Sequence, residues 1–253
     1  MDPARIAELL EPFLGPANEQ PLTTSDLDHI STYIDILVRW NARINLSAIR
    51  DPEDIVPRHF GESIFAARHL FPPPSSVSSV VRALDPVYCV PPAYPDAGRM
   101  VSALDSVSPV SSVVNALDSL ADIGSGAGFP GLPIKLWAPQ LRLILIESNH
   151  KKATFLREVT RALTLTNVDI QTARAETLPP ASFGVVTLRA VERFETILPT
   201  AAALVAPAGR LALLISSAQF DTARTTLPTL TWANPIPVPL SRNRVLAIAL
   251  RPQ

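Results

Sequence analysis

Residues 120–131 constrain the fold of this chain more than any other segment. They read Leu-Ala-Asp-Ile-Gly-Ser-Gly-Ala-Gly-Phe-Pro-Gly, and a second apolar run over 141–146 ends at Glu147. This order predicts a buried strand, a glycine turn, a helix start and a second strand ending in a carboxylate. Glycines allow a sharp turn and close approach of a ligand, because a Cβ atom would clash or disfavour positive φ. The pattern is typical of a site for an adenosine-containing cofactor, with Glu147 accepting the ribose hydroxyls.

Two cofactor classes match this segment. The run from Gly126 to Gly131 satisfies G-x-G-x-x-G, which leaves a nicotinamide-dependent oxidoreductase as an alternative. However, about 120 residues precede the turn, whereas a dinucleotide fold usually begins with it. Pro130 and Pro133 also lie where a pyrophosphate-binding helix would offer N–H donors, and proline has none. We therefore favour S-adenosyl-L-methionine and a methyltransferase.

The composition limits the other functions. The chain has 253 residues, 47% of them hydrophobic, and no apolar run approaches the ~20 residues of a membrane span. It starts without a secretory signal pattern, so we expect a cytoplasmic protein with no membrane partner. A single cysteine, Cys89, and four scattered histidines predict no metal site. The net charge of −1 excludes a globally basic nucleic-acid binder but permits a local basic patch.

The chain divides into three predicted regions. Residues 1–71 form a helical region with helices over 3–14, from an N-cap at Ser25 to about 44, and over 52–70 with a bend or break at Pro57. Residues 119–253 alternate strand and helix, which predicts an α/β fold with a parallel sheet and helices on both faces. The predicted strands are 119–123, 141–147, 167–172, 184–188, 209–215, a short one near 230–236, and 244–250; the predicted helices are 131–137, 150–164, 192–205 and 217–226.

Residues 72–118 differ from the rest. They are rich in proline, serine and valine, and the octet 78–85 recurs at 111–118 with seven of eight residues identical. Two full copies are too few for a solenoid, which needs at least about three units. We interpret this segment as a duplicated, loosely ordered insertion.

These features together resemble one family, the bacterial small-subunit rRNA (guanine-N7) methyltransferases, also called glucose-inhibited division protein B. The resemblance covers nearly everything outside the insertion and implies a seven-stranded methyltransferase sheet of Rossmann-like type with an N-terminal helical extension. The matching residues are Trp40-Asn41 with Asn45-Leu46, Arg58-His59 with Glu62-Ser63, the run 122–131, Glu147-Ser148 with Lys151-Lys152, Phe155-Leu156, Ala175-Glu176 and Arg189-Ala190.

The resemblance implies S-adenosyl-L-methionine as cofactor and methylation of guanine N7 in 16S rRNA, with guanosine 527 as the family's target. It also implies small-subunit rRNA or the 30S particle as partner, and we expect a monomer. The predicted cofactor-binding residues are Asp122, Gly124, Gly126, Gly128, Phe129, Glu147, Ala175, Glu176 and Arg189. The predicted RNA contacts are Arg58, His59, Lys151 and Lys152.

No general base is expected, because guanine N7 already carries an in-plane lone pair. Catalysis then depends on positioning, and Arg189 is the candidate for a catalytic contribution, through the methionine carboxylate or the RNA. The chain departs from the family at three places: Glu62 replaces a common Asp, Ile215 lies near a missing lysine, and Asn243-Arg244 replaces an Arg-His pair. The missing lysine leaves a non-catalytic rRNA-binding relic as a further alternative.

Overall fold

The computed structural model describes residues 1–15, 22–72, 118–191 and 193–253. The predicted insertion, its internal repeat and Cys89 lie outside this part of the chain, apart from residues 72 and 118 at the insertion's ends.

The N-terminal region is helical, as predicted. A continuous helical segment over residues 52–70 changes to π-helical hydrogen bonding at Val56–Gly61. This irregularity includes Pro57, whose missing N–H cannot join the regular ladder. The helices are α1 (Pro3–Leu14), α2 (Thr24–Asn41), α3 (Pro52–Ile55) and, after the π-helical turn, α4 (Glu62–Leu70).

The start of α2 differs from the prediction by two residues. Thr23, and not Ser25, is the N-cap: its hydroxyl accepts a hydrogen bond from the Asp26 amide at 3.2 Å. The Asp26 carboxylate accepts one from the Thr23 amide at 2.8 Å. Thr23 is preferred because this reciprocal pair satisfies two backbone donors, whereas Ser25 is already inside the first turn.

Within the described residues, the second part of the fold is an eight-stranded sheet. The strands are β1 (Ser119–Ile123), β2 (Arg142–Ile146), β3 (Val168–Gln171), β4 (Phe183–Arg189), β5 (Val205–Ser216), β6 (Thr231–Trp232), β7 (Ile236–Pro237) and β8 (Arg244–Leu250). Their order in the sheet is β3-β2-β1-β4-β5-β8-β6, with β7 also paired to β8. Strands β1 to β5 are parallel, and β8 is antiparallel to β5, β6 and β7.

The predicted α/β class is confirmed, with one strand more than expected. The short strand predicted near 230–236 is divided into β6 and β7, with Ala233, Asn234 and Pro235 between them. Proline cannot donate a hydrogen bond to a β-ladder, so pairing stops there and resumes at Ile236. Strand β5 also starts at Val205, four residues before the predicted start, because a register shift opposite Phe183 and Val185 accommodates the intervening residues.

Helices cover both faces of the sheet, as predicted. The helices are α5 (Gly131–Trp137), α6 (His150–Ala162), α7 (Phe194–Leu204) and α8 (Ser217–Thr226), with a 3₁₀ turn at Ala175–Thr177. Alternate strand residues point to opposite faces, so Leu120 and Leu143 share one core with Phe13 and Phe60 of the N-terminal helices. On the other face, strand residues such as Ala121 pack with α7 and α8. The N-terminal helices therefore help to cover one face of the sheet and lie against the residues that follow β1.

Candidate active site

The glycine turn lies where the sheet order reverses. Strand β1 pairs with β2 on one side and with β4 on the other, and the turn follows β1 at its carboxyl end. Open α/β sheets bind ligands at such a switch point. The amides of Gly124 and Ser125 donate to the Ile146 carbonyl at 2.9 and 3.2 Å, which fixes the turn to the end of β2.

The three glycines of the turn have different surroundings. All have positive φ: +65° at Gly124, +54° at Gly126 and +86° at Gly128. A Cβ atom on Gly124 or Gly126 would meet no described protein atom closer than 3.5 Å. One on Gly128 would lie 2.6 Å from Leu132 Cδ1. Gly124 is exposed and Gly126 half-buried, so both border open space that a ligand can enter, whereas the buried Gly128 is required by packing.

Glu147 lies beside that open space and is 7% exposed. Its Oε2 accepts a hydrogen bond from the Gly126 amide at 2.9 Å, and its Oε1 accepts one from the Asn149 amide at 2.8 Å. Each carboxylate oxygen has about two lone-pair directions, so one on each remains for the two hydroxyls of a ribose. The ribose-binding role of Glu147 stays a prediction, for which this geometry leaves one acceptor position on each oxygen.

Asp122 has a different place from the one predicted. It is 1% exposed under the turn; its Oδ1 accepts from the Thr187 hydroxyl at 2.8 Å and its Oδ2 from the Gly131 amide at 3.3 Å. Burial raises the pKa of this carboxyl to about 6, although both hydrogen bonds oppose the shift. We therefore revise its role from cofactor contact to support of the turn and of the start of α5.

The first turn of α5 leaves no donor for a pyrophosphate. The Gly131 amide is bound to Asp122, the Leu132 amide donates to the Gly128 carbonyl at 2.8 Å, and Pro133 has no N–H. A helix N-terminus binds phosphate through just such amides. The geometry therefore agrees with the preference for a cofactor without a pyrophosphate.

Phe129 points into the N-terminal helical core instead of the open space. Its ring is stacked between Tyr33, at 5.3 Å between centroids, and His59, at 4.7 Å. The Tyr33 hydroxyl donates to the Ala127 carbonyl. Tyr33 was not predicted as a site residue, although its spacing from Ile30 and Leu37 places it on the buried face of α2. The N-terminal helices therefore hold the glycine turn in place, and Phe129 offers a ligand its backbone and not its ring.

His59 is not available for the predicted RNA contact. It is 9% exposed; Nδ1 lies 3.0 Å from Arg189 Nη2 and Nε2 lies 2.7 Å from Ser47 Oγ. Because the guanidinium can only donate, Nδ1 accepts and the ring proton is on Nε2. Burial and the nearby arginines lower the His59 pKa to about 3, so the ring is neutral near pH 7.

Arg189 ends β4 and is joined to the π-helical turn. Its Nη2 lies 2.5 Å from the Arg58 carbonyl and 3.2 Å from Glu62 Oε2, and its side chain is 7% exposed. Burial lowers its pKa to about 10, which still leaves it charged at neutral pH. The structure thus brings Arg189 together with Arg58 and His59, a contact that their spacing in the sequence did not predict.

Glu62 lies between three arginines and is 2% exposed. Besides Arg189, its carboxylate lies 2.9 Å from Arg244 Nη2 and 3.6 Å from Arg58 Nε. Glu62 and Arg244 are both positions at which this sequence departs from the pattern of the family it resembles. Their pairing lies near the region where the family lysine is missing, because Arg244 pairs with Ser216, the neighbour of Ile215.

The remaining predicted residues lie on the β2–β3 side. Ala175 is buried and Glu176 exposed in the 3₁₀ turn that follows β3. Lys151 is exposed and Lys152 half-buried in the first turn of α6, where their amides donate to the Asn149 side chain at 2.9 and 3.2 Å. The carboxyl ends of β1 and β2, where the cofactor is predicted to bind, therefore lie between these lysines and the arginines around Glu62.

The residues that the structure describes contain neither a candidate membrane-spanning helix nor a candidate metal site. Within them, no helix has the length and apolar character needed to cross a bilayer. The same residues contain no group of three or more histidine, cysteine or acidic side chains placed to hold a metal ion.

Comparison with known proteins gives a family match, named relatives and a solved structure. Residues 96–231 match the sequence profile of a family described as rRNA small subunit methyltransferase G. A Halorhodospira halophila protein named ribosomal RNA small subunit methyltransferase G is 34% identical over 188 residues, which are 74% of this chain and 68% of that protein. A Xanthomonas euvesicatoria protein of the same name is 32% identical over 80% of this chain and 77% of its own length. A solved SAM-dependent methyltransferase from Aquifex aeolicus aligns with a TM-score of 0.44 and 15% identity, over 52% of this chain and 81% of that one.

Proposed function

Since this chain belongs to the rRNA small subunit methyltransferase G family, we propose that it transfers a methyl group from S-adenosyl-L-methionine to guanine N7 in small-subunit rRNA. The observation that supports this most directly is the Glu147 carboxylate, bound to the Gly126 amide beside the open side of Gly124 and Gly126. That arrangement suits a nucleoside with a ribose diol and no pyrophosphate.

Different residues would contact different parts of the cofactor. Glu147 would accept the ribose hydroxyls, Ala175 and Glu176 would border the adenine, and the backbone from Gly124 to Phe129 would face the methionine part. Arg189, at the end of β4, lies between the glycine turn and Glu62: its Cζ is 5.9 Å from the centroid of the Phe129 ring, and its Nη2 is 3.2 Å from Glu62 Oε2. S-adenosyl-L-methionine, when bound, supplies an electrophilic methyl group on a sulfonium.

The chain's own contribution to the reaction is positioning. Guanine N7 needs no proton removed, so a general base is unnecessary and the neutral, buried His59 is not required to act as one. Holding N7 in line with the methyl carbon at near-attack distance supplies several kcal/mol, about 7–11 in well-oriented systems. Backbone carbonyls near the cleft can follow the positive charge that moves onto the guanine ring.

The RNA would approach from the side of the N-terminal helices. Base N7 is hidden in the deep major groove of A-form RNA, so the target guanosine must be exposed in a loop or extruded. We propose that residues 1–71 and 119–253 act together around this base, that the insertion 72–118 is a separate region, and that the protein acts as a cytoplasmic monomer. Lys151 and Lys152 remain proposed RNA contacts.

Mass spectrometry of digested rRNA tests this function. Small-subunit rRNA and 30S particles are incubated separately with the protein and methyl-labelled S-adenosyl-L-methionine. We expect label in N7-methylguanosine at one position in at least one of the two substrates. Saturable binding of NADH without binding of S-adenosylhomocysteine would instead support the oxidoreductase, and tight rRNA binding without methyl transfer would support the relic.

A further inference from the structure

Among the residues that the structure describes, the arginines around Glu62 carry more positive charge than the neighbouring carboxylates neutralise. Arg58, Arg189 and Arg244 provide three positive charges, and Glu62 provides one negative charge. Asp122 also attracts Arg189, so the balance stays positive even when Asp122 is ionised. His59 adds no charge because it is neutral near pH 7. Partly buried excess charge is costly unless an anion compensates it.

The hydrogen bonding of these arginines is also incomplete. The Nε atoms of Arg189 and Arg244 are buried and have no hydrogen-bond partner among the described residues. Arg58 is 47% exposed and Arg244 is 19% exposed, so the cluster opens to solvent through these two side chains. Glu62 and Arg189 form the buried side of this cluster. A guanidinium cluster of this kind is suited to an oxyanion such as a phosphate.

The place of Arg244 in the sheet indicates which anion this is. Arg244 lies on β8, and β5 and β4 separate it from β1. With about 4.8 Å between strands, its backbone is roughly 14 Å from β1 and roughly 19 Å from β2, where Glu147 follows. A cofactor held by Glu147 and the glycine turn occupies the β1–β2 side. The anion that meets Arg58 and Arg244 therefore belongs to the substrate.

We propose that Arg58, Arg189 and Arg244, held by Glu62, bind a backbone phosphate of the RNA next to the target guanosine. This inference rests on the proposed function and extends it to the site that sets the register of the RNA. Phosphate contacts of this kind position a nucleic acid without reading its sequence.

The test compares RNA binding and cofactor binding in two variants, Arg58→Gln and Arg244→Gln. The control is Arg224→Gln, which removes an exposed arginine of α8 that pairs with Asp221. Binding of transcribed small-subunit rRNA is measured between about 50 and 200 mM KCl, the range in which counterion release is pronounced. Binding of S-adenosylhomocysteine is measured by calorimetry on the same preparations, and thermal unfolding confirms that each variant is folded.

We expect each of the two variants to weaken RNA binding about tenfold and to reduce the slope of log K against log salt by about 0.7–0.9. The control should match the wild type, and all variants should bind S-adenosylhomocysteine as the wild type does. Unchanged RNA binding would overturn the inference, and so would lost cofactor affinity with an unchanged salt slope, because the anion would then be the cofactor carboxylate. Arg58→Gln alters a half-exposed side chain and so decides the matter even if Arg244→Gln unfolds.

The two proposals fail separately. If the wild type methylates rRNA and both variants bind it normally, the phosphate site is wrong and the proposed function stands. If the wild type transfers no methyl group, the proposed function is wrong, while the salt slopes still decide the phosphate site.

Discussion

Oε2 of Glu147 accepts a 2.9 Å hydrogen bond from the Gly126 amide, 21 residues earlier in the chain. This bond joins the carboxylate at the end of β2 to the glycine turn at the end of β1. The second oxygen is fixed by the Asn149 amide at 2.8 Å. The carboxylate is therefore oriented before a ligand arrives, which lowers the ordering cost of binding.

Replacing Glu147 by Gln should weaken binding of S-adenosylhomocysteine about tenfold to a hundredfold. The amide group keeps the shape but loses the charge-assisted bonds and presents an NH₂ group to one donor. Calorimetry measures the affinity, with the exposed Glu8→Gln on α1 as the matched control. Unchanged affinity in Glu147→Gln would contradict the ribose-binding role.

Alanine at Gly124 and at Gly128 should have different effects. Gly128→Ala should destabilise the fold by about 2–4 kcal/mol, since its Cβ would lie 2.6 Å from Leu132 Cδ1 at a φ of +86°. Gly124→Ala should cost about 1–2 kcal/mol from its positive φ and reduce cofactor affinity more than tenfold. Urea unfolding and calorimetry separate the two; equal losses of stability would argue against open space at Gly124.

Asp122 and His59 should affect stability in opposite directions between about pH 4 and 6. The raised pKa of Asp122 means that the folded state binds more protons than the unfolded state, so this group lowers the free energy of unfolding as pH rises from 3.8 to about 6. The lowered pKa of His59 has the reverse effect between about 3 and 6.5. The two contributions partly cancel in the wild type.

Asp122→Asn removes the first of these contributions. The variant should lose stability more steeply than the wild type on acidification from pH 6.5 to 4, by an additional ~3 kcal/mol. Urea unfolding at closely spaced pH values measures this difference. Parallel pH profiles for the two proteins would mean that Asp122 does not titrate in this range.

Tyr33→Phe should loosen the glycine turn from the N-terminal helices. It leaves the buried Ala127 carbonyl without its hydroxyl donor, at a cost of about 1–3 kcal/mol. Because Ala127 lies within the turn, cofactor affinity should fall as well. The comparison is Thr225→Val, which removes an exposed hydroxyl-to-carbonyl bond to Asp221 and should change neither quantity. Wild-type affinity in Tyr33→Phe would show that the turn keeps its shape unaided.

The sequence determined the local parts of this protein. The strands, most helix bounds and the glycine turn with Glu147 follow from hydrophobic periodicity, proline and glycine positions and the strand-end carboxylate, all of which act over a few residues. Three details were not predicted: the reciprocal cap at Thr23, the early start of β5, and the division of the short strand into β6 and β7. Each depends on competing backbone hydrogen bonds, which the spacing of residues in the sequence does not show.

Only the tertiary structure decided how distant residues share the site. Arg189 and Arg244 lie 127 and 182 residues after Glu62 in the chain. The three side chains meet because the strand order places β4 and β8 on either side of β5, beneath the π-helical turn. His59 and Asp122 looked like ligand contacts in sequence, yet packing buried them as supports. Whether a polar side chain meets a ligand or a neighbour depends on which surfaces the fold brings together, and residue type alone does not contain that information.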